Sequence, residues 1–151
     1  MTQQNEQDLQ IITNILKKIP LFAELNADEN KEVIKKITMD YVPENTILFK
    51  EGDVGDKMYV IQKGIVRIFH EGETASFDKE VAMLGDNDFF GEMALFSEVP
   101  RNATAKVVEA SQLFILSKED MHKLISENPS IAAKLSGEFL KRLKENMRAT
   151  S

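Results

Sequence analysis

Between about Thr38 and Ser117 the chain is a run of short apolar stretches cut by glycines, and no other feature restricts its fold as much. The stretches are Thr46–Phe49, Met58–Ile61, Ile65–Phe69, Glu80–Leu84, Ala105–Val108 and Leu113–Leu116, with Gly52, Gly55, Gly64, Gly72 and Gly85 among them. Segments this short, returned by glycine turns, form the strands of a β-sandwich or barrel. Adjacent apolar pairs such as Ile65-Val66, Ile68-Phe69 and Val107-Val108 predict strands partly covered on both faces.

Helical patterns flank this block. Leu9, Ile12, Leu16 and Ile19 recur at helical spacing, and Pro20 is expected to end that helix. Asn26 followed by Glu29 is a helix-start signal ahead of Val33, Ile34 and Ile37. After the strands, Ser117 and Asp120 open a helix carrying Met121, Leu124 and Ile125. Asn128-Pro129 breaks it and starts another, with Leu135, Phe139 and Leu143 four apart. The expected architecture is α+β, mainly β. One domain spans 1–151, with N-terminal helices over 1–37, the strand block over 38–117 and C-terminal helices over 118–147.

Several function classes are excluded early. The net charge of −6 argues against a sequence-independent grip on nucleic acid, which needs a dense basic face. With no cysteine there is no disulfide, no thiolate nucleophile and no Cys-based zinc site. His70 and His122 are the only histidines, too few and too far apart for the metal cluster of a cupin-type enzyme. No Ser/His/Asp signature and no phosphate loop ending in Lys-Ser/Thr is present. Neither a signal peptide nor a membrane-length apolar run occurs. The expectation is a soluble cytoplasmic protein that is not an enzyme, with no metal or cofactor and no nucleic-acid or membrane partner.

One segment breaks the strand pattern. From Phe89 to Ala105 the sequence reads FFGEMALFSEVPRNATA, and Phe90, Met93 and Ala94 are at helical spacing. A single helical turn after Gly91 presents free N–H groups to an anion. Gly91, Ala94 and Ala103 are small enough for a ligand to approach the backbone. Arg101 is suited to grip a phosphate with two parallel hydrogen bonds, and ionised Glu92 accepts from a hydroxyl. Taken one at a time, these residues favour a structural reading over a functional one, Glu92 as a helix-dipole carboxylate and Arg101 as an exposed loop arginine or the partner of Glu92 or Glu98 in a surface bridge. Together they describe a site for a sugar phosphate.

This segment, 89–105, resembles the phosphate-binding cassette of cyclic-nucleotide-binding domains, found in regulatory subunits of cyclic-AMP-dependent protein kinase, cyclic-nucleotide-gated channels and the catabolite activator protein. The matching residues are Phe90, Gly91, Glu92, Ala94, Leu95, Pro100, Arg101, Ala103 and Thr104. The resemblance extends to Glu51–Asp56, Met58–Ile61 and Gly64–Val66, to the Leu21-Phe22 connector, and to the helices after the barrel. It implies that 38–117 is a jelly-roll-like β-roll holding a 3′,5′-cyclic nucleotide, flanked by the N-terminal helices and by hinge and lid helices over 118–147. It further implies that Glu92 accepts the ribose 2′-hydroxyl. Arg101, with backbone N–H groups around Met93, Ala94, Asn102 and Ala103, would hold the cyclic phosphate. The purine would lie against Val81 and Ala82 and beneath the final helix, where Phe139, Leu140 and Leu143 are the candidates.

Asn102 departs from the family pattern. Cyclic-AMP sites of the kinase type usually carry Ala after the arginine, and cyclic-GMP sites often carry Thr. Without that Thr the expected ligand is cyclic AMP, with cyclic GMP as the alternative. The chain ends at Ser151, soon after the last helix. The expectation is therefore a stand-alone sensor whose lid helix signals to an effector protein in trans, through a homodimer, or within a larger parent chain. A degenerate domain serving as a protein-interaction scaffold is the competing reading, and the retained Glu92 and Arg101 weigh against it.

Overall fold

Asn26 starts its helix as the sequence predicts. Its side chain accepts from the Glu29 N–H at 2.9 Å, and the Glu29 carboxylate accepts from the Asn26 N–H at 2.9 Å, which completes a capping box. The computed structural model describes residues 3–19, 22–95 and 97–137. The described residues divide into two compact units, one drawn from Met1–Lys36 and Glu119–Ser151, the other Ile37–Lys118.

The first unit is helical, with α1 (Gln3–Lys18), α2 (Ala27–Lys35) and most of α3 (Lys118–Glu127), followed by helical residues 129–137. The buried stripe of α1 is Ile12, Ile15 and Leu16, while Leu9, expected on that face, stays exposed one turn earlier. Helix α1 ends at Lys18; Pro20 and Leu21 lie outside the described residues. Val33 and Ile34 of α2 are buried, and Ile37 falls beyond its end. The Asn128 N–H and side-chain amide both donate to the Leu124 carbonyl at 3.0 Å, closing α3. Pro129 then takes a first helical position, where its missing N–H costs nothing. Met121, Leu124, Ile131 and Leu135 form the buried side of these C-terminal helices.

The second unit is a six-stranded antiparallel sheet rolled on itself, the jelly-roll-like β-roll the sequence predicts. Its strands are β1 (Thr38–Val42), β2 (Ile47–Phe49), β3 (Lys57–His70), β4 (Lys79–Leu84), β5 (Phe89–Phe90) and β6 (Thr104–Ser117). The order is β1-β6-β3-β4, with β2 on β6 and β5 on β3. Two long strands replace the four short ones expected at Met58–Phe69 and Ala105–Leu116. β3 and β6 pair from Lys57 opposite Ser117 to Phe69 opposite Thr104, with register shifts between Ile61 and Val66. Gly64 is therefore a bend within a strand and not a turn between two. Its φ of +131° suits glycine alone, and a Cβ there would strike the Ser111 side chain.

Val42, Tyr59, Ile61, Val66, Phe90, Ala105, Val107 and Leu113 fill the inside of the roll. Met58, Val60, Phe114 and Leu116, alternating with them along β3 and β6, are buried too, so these strands are covered on both faces. Short β5 sets up the site. Its Phe90 pairs with Tyr59 and its Phe89 with Val60, which brings the next residue, Gly91, beside Lys57.

Candidate functional site

At Gly91 the backbone turns with φ of +80°, and a 3-10 turn follows at Glu92–Leu95. This is the helical turn expected after Gly91. The Ala94 N–H closes it onto the Gly91 carbonyl at 3.2 Å. Ala94 and Leu95 are buried, which leaves Glu92 and Met93 partly open to solvent. Ser97 ends the turn by donating its N–H and hydroxyl to the Met93 carbonyl at 3.1 and 3.0 Å. The Lys118 ammonium then donates to the Ser97 carbonyl at 3.0 Å and to Glu98 at 2.6 Å.

Arg101 reaches the same place from the opposite side. Its N–H donates to the Asp53 carbonyl at 2.7 Å, and its carbonyl accepts from the Gly52 N–H at 2.8 Å. Val54 bridges Pro100 beside it. With the backbone fixed at both groups, the side chain runs between two glycines. A Cβ added at Gly91 would stand 2.6 Å from Arg101 Nη1, and one at Gly55 would stand 2.9 Å from Arg101 Nε and 2.8 Å from Ala94 Cβ. Both positions need glycine because the guanidinium occupies the space.

The guanidinium itself has few partners. Nη2 donates to the Lys57 carbonyl at 2.7 Å, and the Cζ lies 4.0 Å from the centre of the Phe49 ring. Nε is buried with no hydrogen-bond partner among the described residues. Burial pushes the Arg101 pKa down, and the neighbouring Tyr59, Asp56 and Asp53 oppose that shift. Arginine stays protonated through such a change. The result is a fixed, partly dehydrated cation with donor capacity left over, next to a turn of small residues. An unsatisfied buried donor costs free energy until something accepts from it, so these groups suit a small anion.

The structure thus brings Gly91, Glu92, Met93, Ala94 and Arg101 together. Asn102 is exposed next to them and Ala103 is buried. Of the purine candidates, Ala82 pairs with Ile68, whose side chain packs on the core of the roll. Val81, directly before Ala82, falls at the register shift between β3 and β4 and is 54% exposed. Phe139, Leu140 and Leu143 lie outside the described residues. His70 contacts Glu51 at 3.1 Å on the surface and His122 is exposed. Among the described residues there is no cluster of metal-ligating side chains. An open groove of about 580 Å³ lies at the Gly64 bend, lined by Tyr41, Lys63, Asp86 and Glu109 among others, and shares no residue with the surroundings of Arg101.

Sequence reasoning missed Phe49, Lys57 and Tyr59, and it took Gly55 for a turn residue. Gly55 had one readable signal, its place between Val54 and Asp56 in a glycine-acid repeat. Tyr59 lay within Met58–Ile61, a stretch that carries the resemblance, and Phe49 and Lys57 had no signal.

The family model for the cyclic nucleotide-binding domain matches residues 39–128. The chain belongs to the cyclic nucleotide-binding domain family. The cyclic AMP receptor protein of Thermus thermophilus is 32% identical over 86% of this chain, which spans 60% of that protein's length. The N-terminal domain of a transcriptional regulator from Streptomyces coelicolor superposes with a TM-score of 0.80 at 27% identity, over 91% of this chain and 95% of that domain. The regulatory domain of Toxoplasma gondii PKA, crystallised with cAMP, has a TM-score of 0.70 at 28% identity, over 79% of this chain and 45% of that one. In this cyclic nucleotide-binding domain the matched span begins at β1 and ends just after α3, so it contains the whole Arg101 environment. No described helix is long and apolar enough to cross a membrane.

Proposed function

We propose that this chain is a sensor for a 3′,5′-cyclic nucleotide, cyclic AMP in preference to cyclic GMP. One observation carries the reading: the Arg101 guanidinium, confined between Gly55 and Gly91, keeps a buried Nε without a partner beside the Glu92–Leu95 turn. The singly charged ring phosphate accepts from Arg101 and from backbone N–H groups around Met93–Ala94 and Asn102–Ala103. Glu92 accepts the ribose 2′-hydroxyl. The base lies toward Ala82, and the C-terminal helix moves over it, carrying the signal to an effector protein or a second copy of the chain. The cAMP-bound Toxoplasma relative supports the choice of base, as does the absence of Thr after Arg101.

Calorimetric titration with cyclic AMP, cyclic GMP and 5′-AMP tests this. Arg101→Ala is expected to weaken cyclic AMP binding about 10- to 100-fold, since hydrogen bonds to a charged group are worth about 1.5–3 kcal/mol. Cyclic AMP raises the melting temperature of the wild type, because it binds the folded state alone. Equal affinity for 5′-AMP, or an unchanged Kd in Arg101→Ala, rejects the phosphate site. Tighter binding of cyclic GMP reverses the base preference. If neither nucleotide shifts the melting temperature, the domain is the scaffold of the competing reading. Amide exchange over 129–137 slows with cyclic AMP if the helix is the moving part, and unchanged exchange there removes the lid.

A further inference from the structure

We propose that Phe49 is a positioning residue for Arg101, an aromatic platform that aims the guanidinium at the ligand phosphate without consuming its charge. This rests on the cyclic-nucleotide reading above. Phe49 is the last residue of β2 and pairs with Ala105 of β6, so the strand pairing delivers its ring beneath Arg101. The Cζ–ring distance of 4.0 Å is that of a close cation–π contact.

The ring is itself held. Its centroid lies 6.0 Å from that of Tyr59 and 6.1 Å from that of Phe90, and those two rings stack at 5.0 Å with an interplanar angle of 11°. Three strands, β2, β3 and β5, therefore contribute one ring each to a fixed surface. A partly buried arginine in a fold is ordinarily steadied by a carboxylate. Asp53 and Asp56 act on the guanidinium only at longer range, and neither forms an ion pair with it among the described residues. A carboxylate in direct contact would neutralise the cation and repel an incoming phosphate. A ring face attracts the cation through its quadrupole and carries no net charge. With Nη2 on the Lys57 carbonyl, the guanidinium plane is set by one directed bond and one ring face, and the remaining N–H groups are spared for an anion.

The test keeps the shape of the ring and changes its electrons. Phe49 is replaced in the full chain by mono-, tri- and pentafluorophenylalanine, and Phe49→Leu and Phe49→Trp are made alongside. Cyclic AMP affinity is read by calorimetry and ligand-free stability by thermal melting. Affinity is expected to fall stepwise with each added fluorine, to a total of about two- to thirtyfold, while the melting temperature of the ligand-free protein holds. Phe49→Trp retains affinity and Phe49→Leu loses it. If the wild type binds cyclic AMP and the fluorinated series binds equally well, the platform is rejected while the phosphate site stands. Affinity that follows the melting temperature across the variants also rejects it, since that is a packing effect. A wild type that binds no cyclic nucleotide removes the functional reading and the platform with it.

Discussion

Acid is expected to loosen the helical unit through one carboxylate. Glu29 is only 7% exposed, and its Oε1 accepts from the Asn26 N–H at 2.9 Å and from the Lys134 ammonium at 2.6 Å. The Lys134 hydrogen bond first, and the Asn26 N–H second, hold its pKa at about 2 against the ordinary 4.5, while burial works the other way. A carboxylate whose folded-state pKa is depressed contributes stability above its unfolded value and loses it as pH falls toward the folded one. The contribution is therefore complete above about pH 4.5 and disappears on the way down to about pH 2. At about 1.36 kcal/mol per pKa unit the ceiling is about 3.4 kcal/mol. The Lys134 side chain is 36% exposed, so water screens the pair, and about 1–2 kcal/mol is the expected share.

Glu29→Gln isolates that share, because the amide still accepts from Asn26 and only the charge is lost. Urea unfolding of wild type and variant is followed from pH 7 to pH 2.5. The gap of about 1–2 kcal/mol at pH 7 should close as the pH drops, since every other carboxylate titrates alike in both proteins. Lys134→Met should cost a similar amount at pH 7 and move the wild-type acid limb toward pH 4.5. Two curves that stay parallel down to pH 3 would refute the reasoning, whatever their separation.

The two constrained glycines separate site from scaffold. Gly91→Ala places a Cβ 2.6 Å from Arg101 Nη1 at a φ of +80°, so cyclic AMP affinity should fall at least about tenfold by calorimetry, with about 1–2 kcal/mol of stability lost to the left-handed backbone. Gly64→Ala drives a Cβ into Ser111 at a φ of +131°. It should cost about 2–4 kcal/mol in urea unfolding from overpacking and strain together, and leave the affinity of the folded protein within about twofold.

What the sequence made legible depends on how far apart the cooperating residues lie along it. The turn at Gly91–Ala94 and the arginine that faces it fall within the single segment 89–105, and glycine, proline and arginine have local geometries and chemistries that can be read without a fold. The capping box at Asn26 and the break at Asn128-Pro129 are local in the same sense. Strand count was less legible, because glycine punctuates a bend and a turn alike. Only the β3–β6 pairing on both sides of Gly64 shows that the strand continues. β1 is exposed at every position except Val42, and β5 has two residues, so neither carries an alternation to detect. Phe49 is the extreme case. A phenylalanine closing a short apolar run reads as core, and part of it is core. Its second contact, with Arg101, exists because β2 meets β6 at the end of the cassette, with Phe49 opposite Ala105. That register is a property of the rolled sheet. The groups proposed to bind the anion are therefore visible in one dimension, and the ring proposed to aim them appears only once the strands are paired.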